Sequence, residues 1–389
     1  MLRSLNSGIS GLRSHQTMLD TTGNNIANVN TAGFKGQTTQ FQDTLSQMRQ
    51  GATGAADTTG GGNPAQVGLG VQVAGTSTNF TQGSAQSTGR ATDMMISGDG
   101  FFVLQKGGEQ ILSRAGNFDF DARGRLVSPD GGIVQGRMAV NGQLPAGGGL
   151  QDIVLPLGLT APGAATTTAG VQGNLPRGAA VGETRTLDRE IFRADGSSDT
   201  LQLTFTRTAS GWGVNGSSAG GTGNATLTQN AAGALNGGTL NVGGVAVDLS
   251  GLTGYAGLDT ASIGEQNGTA AGVLQTYTLG ADGALTGRFS NGAQQVIGQI
   301  MLGQVANPAG LEKVGSSGYA LTANSGAMGL LTPGTAGVGT LAGGMLEMSN
   351  VDLSQEFTNL IVAQRGFQAN ARIITTSDEV LQELTNLKR

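Results

Sequence analysis

The sequence predicts a mixed fold: a coiled coil of two terminal α-helices plus two mainly-β domains, one inserted into the other. Three observations lead there. Apolar residues recur at alternating intervals of three and four at both ends of the chain. Between those ends, short apolar runs are separated by Gly, Asp and Asn turns. Residues 151–284 hold 5 basic and 10 acidic side chains, a balance of −5 that equals the formal charge of the whole chain.

At the N-terminus, Leu2, Leu5, Ile9, Leu12, Gln16, Leu19, Gly23 and Ile26 trace a heptad seam, with Leu5, Leu12, Leu19 and Ile26 seven apart. At the C-terminus, Leu353, Leu360, Phe367, Ile374 and Leu381 repeat the spacing, interleaved by Phe357, Gln364, Ala371 and Asp378. A second stripe, Ile373, Val380, Leu384 and Leu387, widens that apolar face. Ser349, with Asp352 three positions on, reads as an N-cap that starts the helix near Asn350. Apolar stripes need burial, so the two helices are expected to pair (residues 1–30 and 350–389), with Leu5, Leu12, Leu19 and Ile26 facing Leu360, Phe367, Ile374 or Leu381 of the same or a neighbouring chain. From periodicity alone, an ordinary intramolecular pair fits as well as an assembly interface.

Residues 31–65 read as a connector, irregular and Gly-rich from residue 51 onward. Residues 66–150 and 285–349 are expected to form an inner β domain, and residues 151–284 an inserted outer one. Phe101 to Leu104, Asn117 to Phe120 and Leu201 to Thr206 are predicted strands. Asp195-Gly196 and Asp282-Gly283 are predicted hairpin turns, because glycine supplies the positive φ such turns need.

Composition narrows the function. Charged residues make up 12% of the 389 and aromatic residues 4%, against about 25% charged in ordinary soluble proteins, while glycine occupies 69 positions. The net negative charge and scattered Lys and Arg argue against nucleic acid as a partner. The absence of cysteine excludes disulfides and zinc-thiolate sites. No apolar run has the length of a membrane span or the form of a secretory signal.

Catalytic patterns are weak. His15 is the only histidine and lies beside the N-terminal seam, which leaves no imidazole for an ordinary triad. Gly216, Ser218 and Gly220 match G-x-S-x-G, and Gly211, Gly213 and Gly216 match G-x-G-x-x-G, but no helical pattern follows either. Asp119, Asp121, Gly124 and Asp130 loosely imitate a calcium loop, yet Arg123 stands where an oxygen ligand belongs and the flanks read as strands. No catalytic, cofactor-binding or metal-binding residue is assigned, and the chain is not read as an enzyme.

Four segments carry a family resemblance. NNIANVNTAGFKG (Asn24 to Gly36), ISGDGFFVL (Ile96 to Leu104), SRAGNFDFDARGRLVSPDGGIVQG (Ser113 to Gly136) and the stretch from Glu347 to Arg389 resemble, in that order, motifs of the flagellar rod and hook protein family. A weaker match lies at QVIGQIMLGQVANPAGL, from Gln295 to Leu311. The resemblance implies a structural subunit outside the cell, in the hook or basal body of the bacterial flagellum, polymerising with itself into a flexible hollow tube that joins rod to filament and transmits torque. It also implies rod, hook-filament junction and hook-cap partners, and passage through a type III export apparatus. The large middle region favours hook over distal rod. An extracellular β-rich adhesin or a phage-tail-like protein shares the composition but needs no terminal heptads, and an enzyme reading is third. The seam residues expected at the helix or polymerisation interface are Leu5, Ile9, Leu12, Leu19, Ile26, Leu353, Phe357, Leu360, Phe367, Ile374 and Leu381.

Overall fold

The computed structural model describes the chain except residues 1, 55, 56, 58, 59, 141, 146, 148, 157, 231, 232, 336 and 387–389. Leu387 of the second apolar stripe therefore lies outside the described residues. The chain is mostly β, with one long helix near each end: α1 (Leu2–Ala27) and α2 (Leu353–Asn386). Among the described residues no helix is long and apolar enough to cross a membrane.

The chain divides into two compact units, residues 1–155, 278–285 and 296–389 in the first, and residues 156–277 and 286–295 in the second. In the first unit, strands Ile133–Met138, Phe101–Lys106, Glu109–Ser113, Gly318–Ala320 and Glu312–Gly315 are neighbours in that order, all antiparallel. Leu302–Gln304 returns to pair Leu302 with Phe102, and residues 298–300 pair with 136–138. Phe101, Phe102, Val103 and Leu104 are all buried, so this apolar run has both sheet faces covered instead of alternating. Phe101, Val103 and Leu112 share a core with Val305 and Tyr319 from the far end of the chain, and Phe102 stacks edge-on against Phe118 at 5.0 Å.

The second unit is a β-sandwich. Thr184–Phe192, Ser198–Arg207, Gly211–Ser218, Gly221–Gln229 and Leu235–Asn236 form one antiparallel sheet. The other has the order Thr239–Val242, Val245–Thr253, Thr168–Asn174, Ser262–Gln266, with its two middle strands parallel. Leu201, Leu203 and Phe205 alternate inward from the first sheet and meet Val171, Val242 and Val247 of the second around Trp212. Gly196 and Gly283 both take positive φ, +80° and +77°, and both predicted turns form.

Within the expected connector, residues 37–43 and 46–50 are ordered strand, while the described residues of the Gly-rich stretch from residue 51 form no strand before Ala65. Gln37–Asp43 pairs with Val71–Thr78, and Ser46–Gln50 with Ala65–Gly68, making a two-stranded ribbon whose near half lies on α1. Its sequence, QTTQFQD then SQMRQ, has no apolar alternation because the ribbon is largely solvent-facing, so the pattern that marks half-buried strands is missing.

Candidate functional site: the terminal helix pair and its anchor

The helices pack antiparallel. A Cβ at Gly8 would touch Ile373 and Ile374, Gly11 lies against Asn370, Gly366 lies under the His15 ring, and Asn25 Nδ2 donates to Glu356 Oε1 at 3.0 Å. At Gly366, a Cβ would come within 2.5 Å of the imidazole, so only glycine permits this approach. The line of closest approach on α1 runs Gly8, Gly11, His15, Met18, Thr22 and Asn25, buried or half-buried throughout.

That line sits one residue before the expected seam at every turn. Gln16 and Gly23 of the expected seam are exposed, while Leu5, Ile9, Leu12, Leu19 and Ile26 are half-buried on its flank. One residue is about 100° of helix rotation. The physical reason is size matching: each glycine receives a larger side chain of the other helix, Gly8 against Ile373 and Ile374, Gly11 against Asn370 and Gly366 against His15, and the leucines are displaced to the edge. On α2, Leu360, Phe367, Ala371, Ile374 and Leu381 are half-buried, Glu356 and Ala363 are buried, and Leu353, Phe357, Gln364 and Asp378 are exposed. Phe357, Ile361 and Val362 remain 53%, 56% and 54% exposed, and Ile373, Val380 and Leu384 also lie open. The cap of α2 is Asp352, not Ser349: Asp352 Oδ1 accepts from Ser354 N at 2.8 Å and from Gln355 N at 3.3 Å.

Where the helices leave the β region, a buried ionic cluster ties the two ends of the chain together. Lys35 Nζ lies 2.6 Å from Glu347 Oε1, with both side chains fully buried, and Arg114 Nη1 lies 3.5 Å from Glu347 Oε2. Lys35 Nζ also donates to Thr81 O at 2.8 Å, Gly83 N to Glu347 Oε1 at 2.9 Å, and Gly33 N to Glu347 O at 2.7 Å. Asn350 Oδ1 accepts from Gly36 N at 2.9 Å while its Nδ2 donates to Asn79 O at 2.8 Å. Burial depresses Lys35 below the usual lysine range, opposed by the hydrogen bond and charge of Glu347. Burial also lowers Arg114, which stacks 5.3 Å over the Phe101 ring. Burial pushes the Tyr319 hydroxyl up to about 12, and that oxygen has no hydrogen-bond partner among the described residues.

Composition and periodicity missed this cluster, because Lys, Arg and Glu are ordinarily surface residues. Its only sequence signal is that Asn25, Lys35, Arg114, Glu347 and Asn350 all fall within the segments that resemble family motifs.

The patterns weighed as catalytic find structural uses. Ser218 ends a strand at a hairpin and donates to Gly221 O at 3.4 Å, with no helix following. Asp121 holds its own turn, accepting from Arg123 N and Arg125 N at 2.9 Å each and pairing with Arg125 Nη2 at 2.7 Å. Asp130 pairs with Lys106 at 2.9 Å. The His15 ring lies 5.8 Å from that of Phe41.

Comparison with known proteins matches the same segments. The model for the flagellar basal body rod FlgEFG protein C-terminal matches residues 342–387, that for the flagellar hook protein FlgE/F/G D1 domain residues 95–171, and that for the flagella basal body rod protein residues 5–35. Flagellar hook protein FlgE of Borreliella burgdorferi is 37% identical, and that of Treponema pallidum 36%, each with 100% of both chains covered. Flagellar basal-body rod protein FlgG of Bacillus subtilis is 34% identical, also over 100% of both chains. With end-to-end similarity at that level, and family matches at both helices and the first β unit, the chain belongs to the flagellar hook protein FlgE/FlgG family.

Proposed function

We propose that the chain is the repeating subunit of a flagellar hook, polymerising with itself into a hollow, flexible tube between rod and filament. The family consists of structural flagellar proteins and not of enzymes. The observation that carries the assembly reading is the uncovered apolar face of α2: with α1 already packed on it, Phe357, Ile361 and Val362 stay more than half exposed. A face of that kind is covered in the functional state, and head-to-tail contacts that do not close a ring generate a helical polymer. In that polymer the half-buried edge of Leu5, Ile9, Leu12, Leu19 and Ile26, with Leu353, Phe357, Leu360, Phe367, Ile374 and Leu381, forms the interface, and the helices line the tube as a coiled coil. Rod, junction and cap proteins and the export apparatus are the further partners, and the assembled hook lies outside the cell.

The domain reading is retained in this proposal: residues 66–150 and 285–349 form the tube wall, and residues 151–284 form an inserted outer module that tunes curvature. Electron microscopy of the purified chain after induced assembly tests the function. Curved tubes are expected, straight rods would favour the distal-rod reading, and a chain that stays monomeric under all assembly conditions would overturn both. Joining residue 150 to residue 285 through a short Gly/Ser linker is expected to leave tubes of altered shape. Complete loss of assembly by a folded variant would make the middle module part of the wall.

A further inference from the structure

The Lys35–Glu347–Arg114 cluster does more than hold the β unit together. Lys35 and Arg114 are 0% and 2% exposed, and among the described residues each has Glu347 as its only carboxylate within salt-bridge distance. Their partner comes more than two hundred residues later in the chain, |i−j| being 312 for Lys35 and 233 for Arg114. Glu347 sits on a strap that crosses the N-terminal part repeatedly. Thr340–Gly343 pairs with Met94–Ser97, Met345–Glu347 with Ala85–Ser87, and Met348 N donates to Ser84 O at 2.9 Å. Met94, Met95 and Ile96, the apolar side chains of the paired strand, are all buried.

We propose that Glu347 is a latch that makes closure of the N-terminal β segments, residues 31–43 and 71–120, conditional on docking of the C-terminal strap, residues 340–350. Without the strap, closing the N-terminal segments buries two cations with no counter-charge, which is strongly unfavourable, so the segments stay open. With the strap docked, one carboxylate answers Lys35, Arg114 and Gly83 N, while its own backbone carbonyl answers Gly33 N. A neutral, well-packed cluster of the same volume would stabilise the closed unit at least as well. The charges therefore make these segments and the strap open and close together. This coupling is a property of the isolated chain and does not depend on assembly.

Native-state hydrogen exchange of the full-length monomer, read by mass spectrometry in peptides covering 85–120 and 340–350, tests the latch. The sandwich strands 198–229 are the internal control. In the wild-type chain the two segments are expected to share one opening constant, with protection factors equal within about threefold. Glu347→Gln is expected to lower protection in both segments by about a hundredfold while leaving 198–229 unchanged. Lys35→Met/Arg114→Met/Glu347→Met is expected to uncouple them, so that 85–120 stays protected for at least tenfold longer than 340–350. The latch is overturned if the wild-type strap opens while 85–120 remains protected. It is equally overturned if the neutral triple variant folds and the two segments still open together, which would assign the coupling to strand pairing. Should the triple variant not fold, Lys35→Met/Glu347→Met with Arg114 retained serves in its place: coupled opening persisting there with undiminished protection sinks the proposal.

Discussion

Leu203→Ala should destabilise the sandwich unit and leave the helix-bearing unit untouched. Leu203 is fully buried in strand Ser198–Arg207, in one apolar cluster with Phe205, Trp212, Val214 and Val242. A buried Leu→Ala change removes transfer free energy and leaves a cavity, together about 3 kcal/mol, within a usual range of 2–5. With a urea slope of about 2 kcal/mol per molar, the unfolding midpoint falls by about 1.5 M. Trp212 is the single tryptophan, fully buried in the sandwich core, so its emission follows that unit alone. Both α-helices belong to the other unit, so the far-ultraviolet helix signal follows that one. The expected result is a shifted Trp212 transition beside an unchanged helix transition, because each unit has its own apolar core. If both transitions fall together by the same amount, the units unfold as one cooperative body and the reasoning fails.

Three further outcomes are expected. Tyr319 keeps its proton in the folded unit up to about pH 12 while the unfolded chain releases it near 10, so wild-type stability falls across that window by roughly 3 kcal/mol at most. Tyr319→Phe should lack that component of the alkaline loss and be at least as stable at neutral pH, since no buried hydroxyl is left unpartnered; parallel pH profiles of the two urea midpoints would refute this. Phe357→Gln/Ile361→Gln should leave monomer stability within about 0.5 kcal/mol, both side chains being exposed, yet abolish tube growth by light scattering; normal growth would remove this face from the interface. Residues 1–30 and 350–389 should be cut faster by protease in the monomer than in the polymer, because the exposed apolar edge of the packed helix pair makes local opening easier until neighbours cover it, and equal cutting rates in the two states would contradict that.

What the sequence determined by itself is what depends on near neighbours along the chain. Intervals of three and four marked both helices, since a helix face is set by spacing alone. Asp195-Gly196 and Asp282-Gly283 marked their turns, since a positive φ is a local demand that glycine meets. The family motifs marked the segments that matter without saying what their residues touch. Only the tertiary structure decided which side of α1 meets α2. The apolar period points to Leu5, Leu12 and Leu19, but close approach is made where a glycine of one helix takes a larger side chain of the other, Gly8 and Gly11 on α1 and Gly366 on α2, and that matching depends on both helices at once. It also decided that a run as polar as QTTQFQD is a strand, because pairing to Val71–Thr78 satisfies its backbone without any apolar pattern. And it alone placed Lys35, Arg114 and Glu347 in the interior, because a charge enters a core only when its counter-charge arrives from elsewhere in the fold, and sequence separation conceals that meeting.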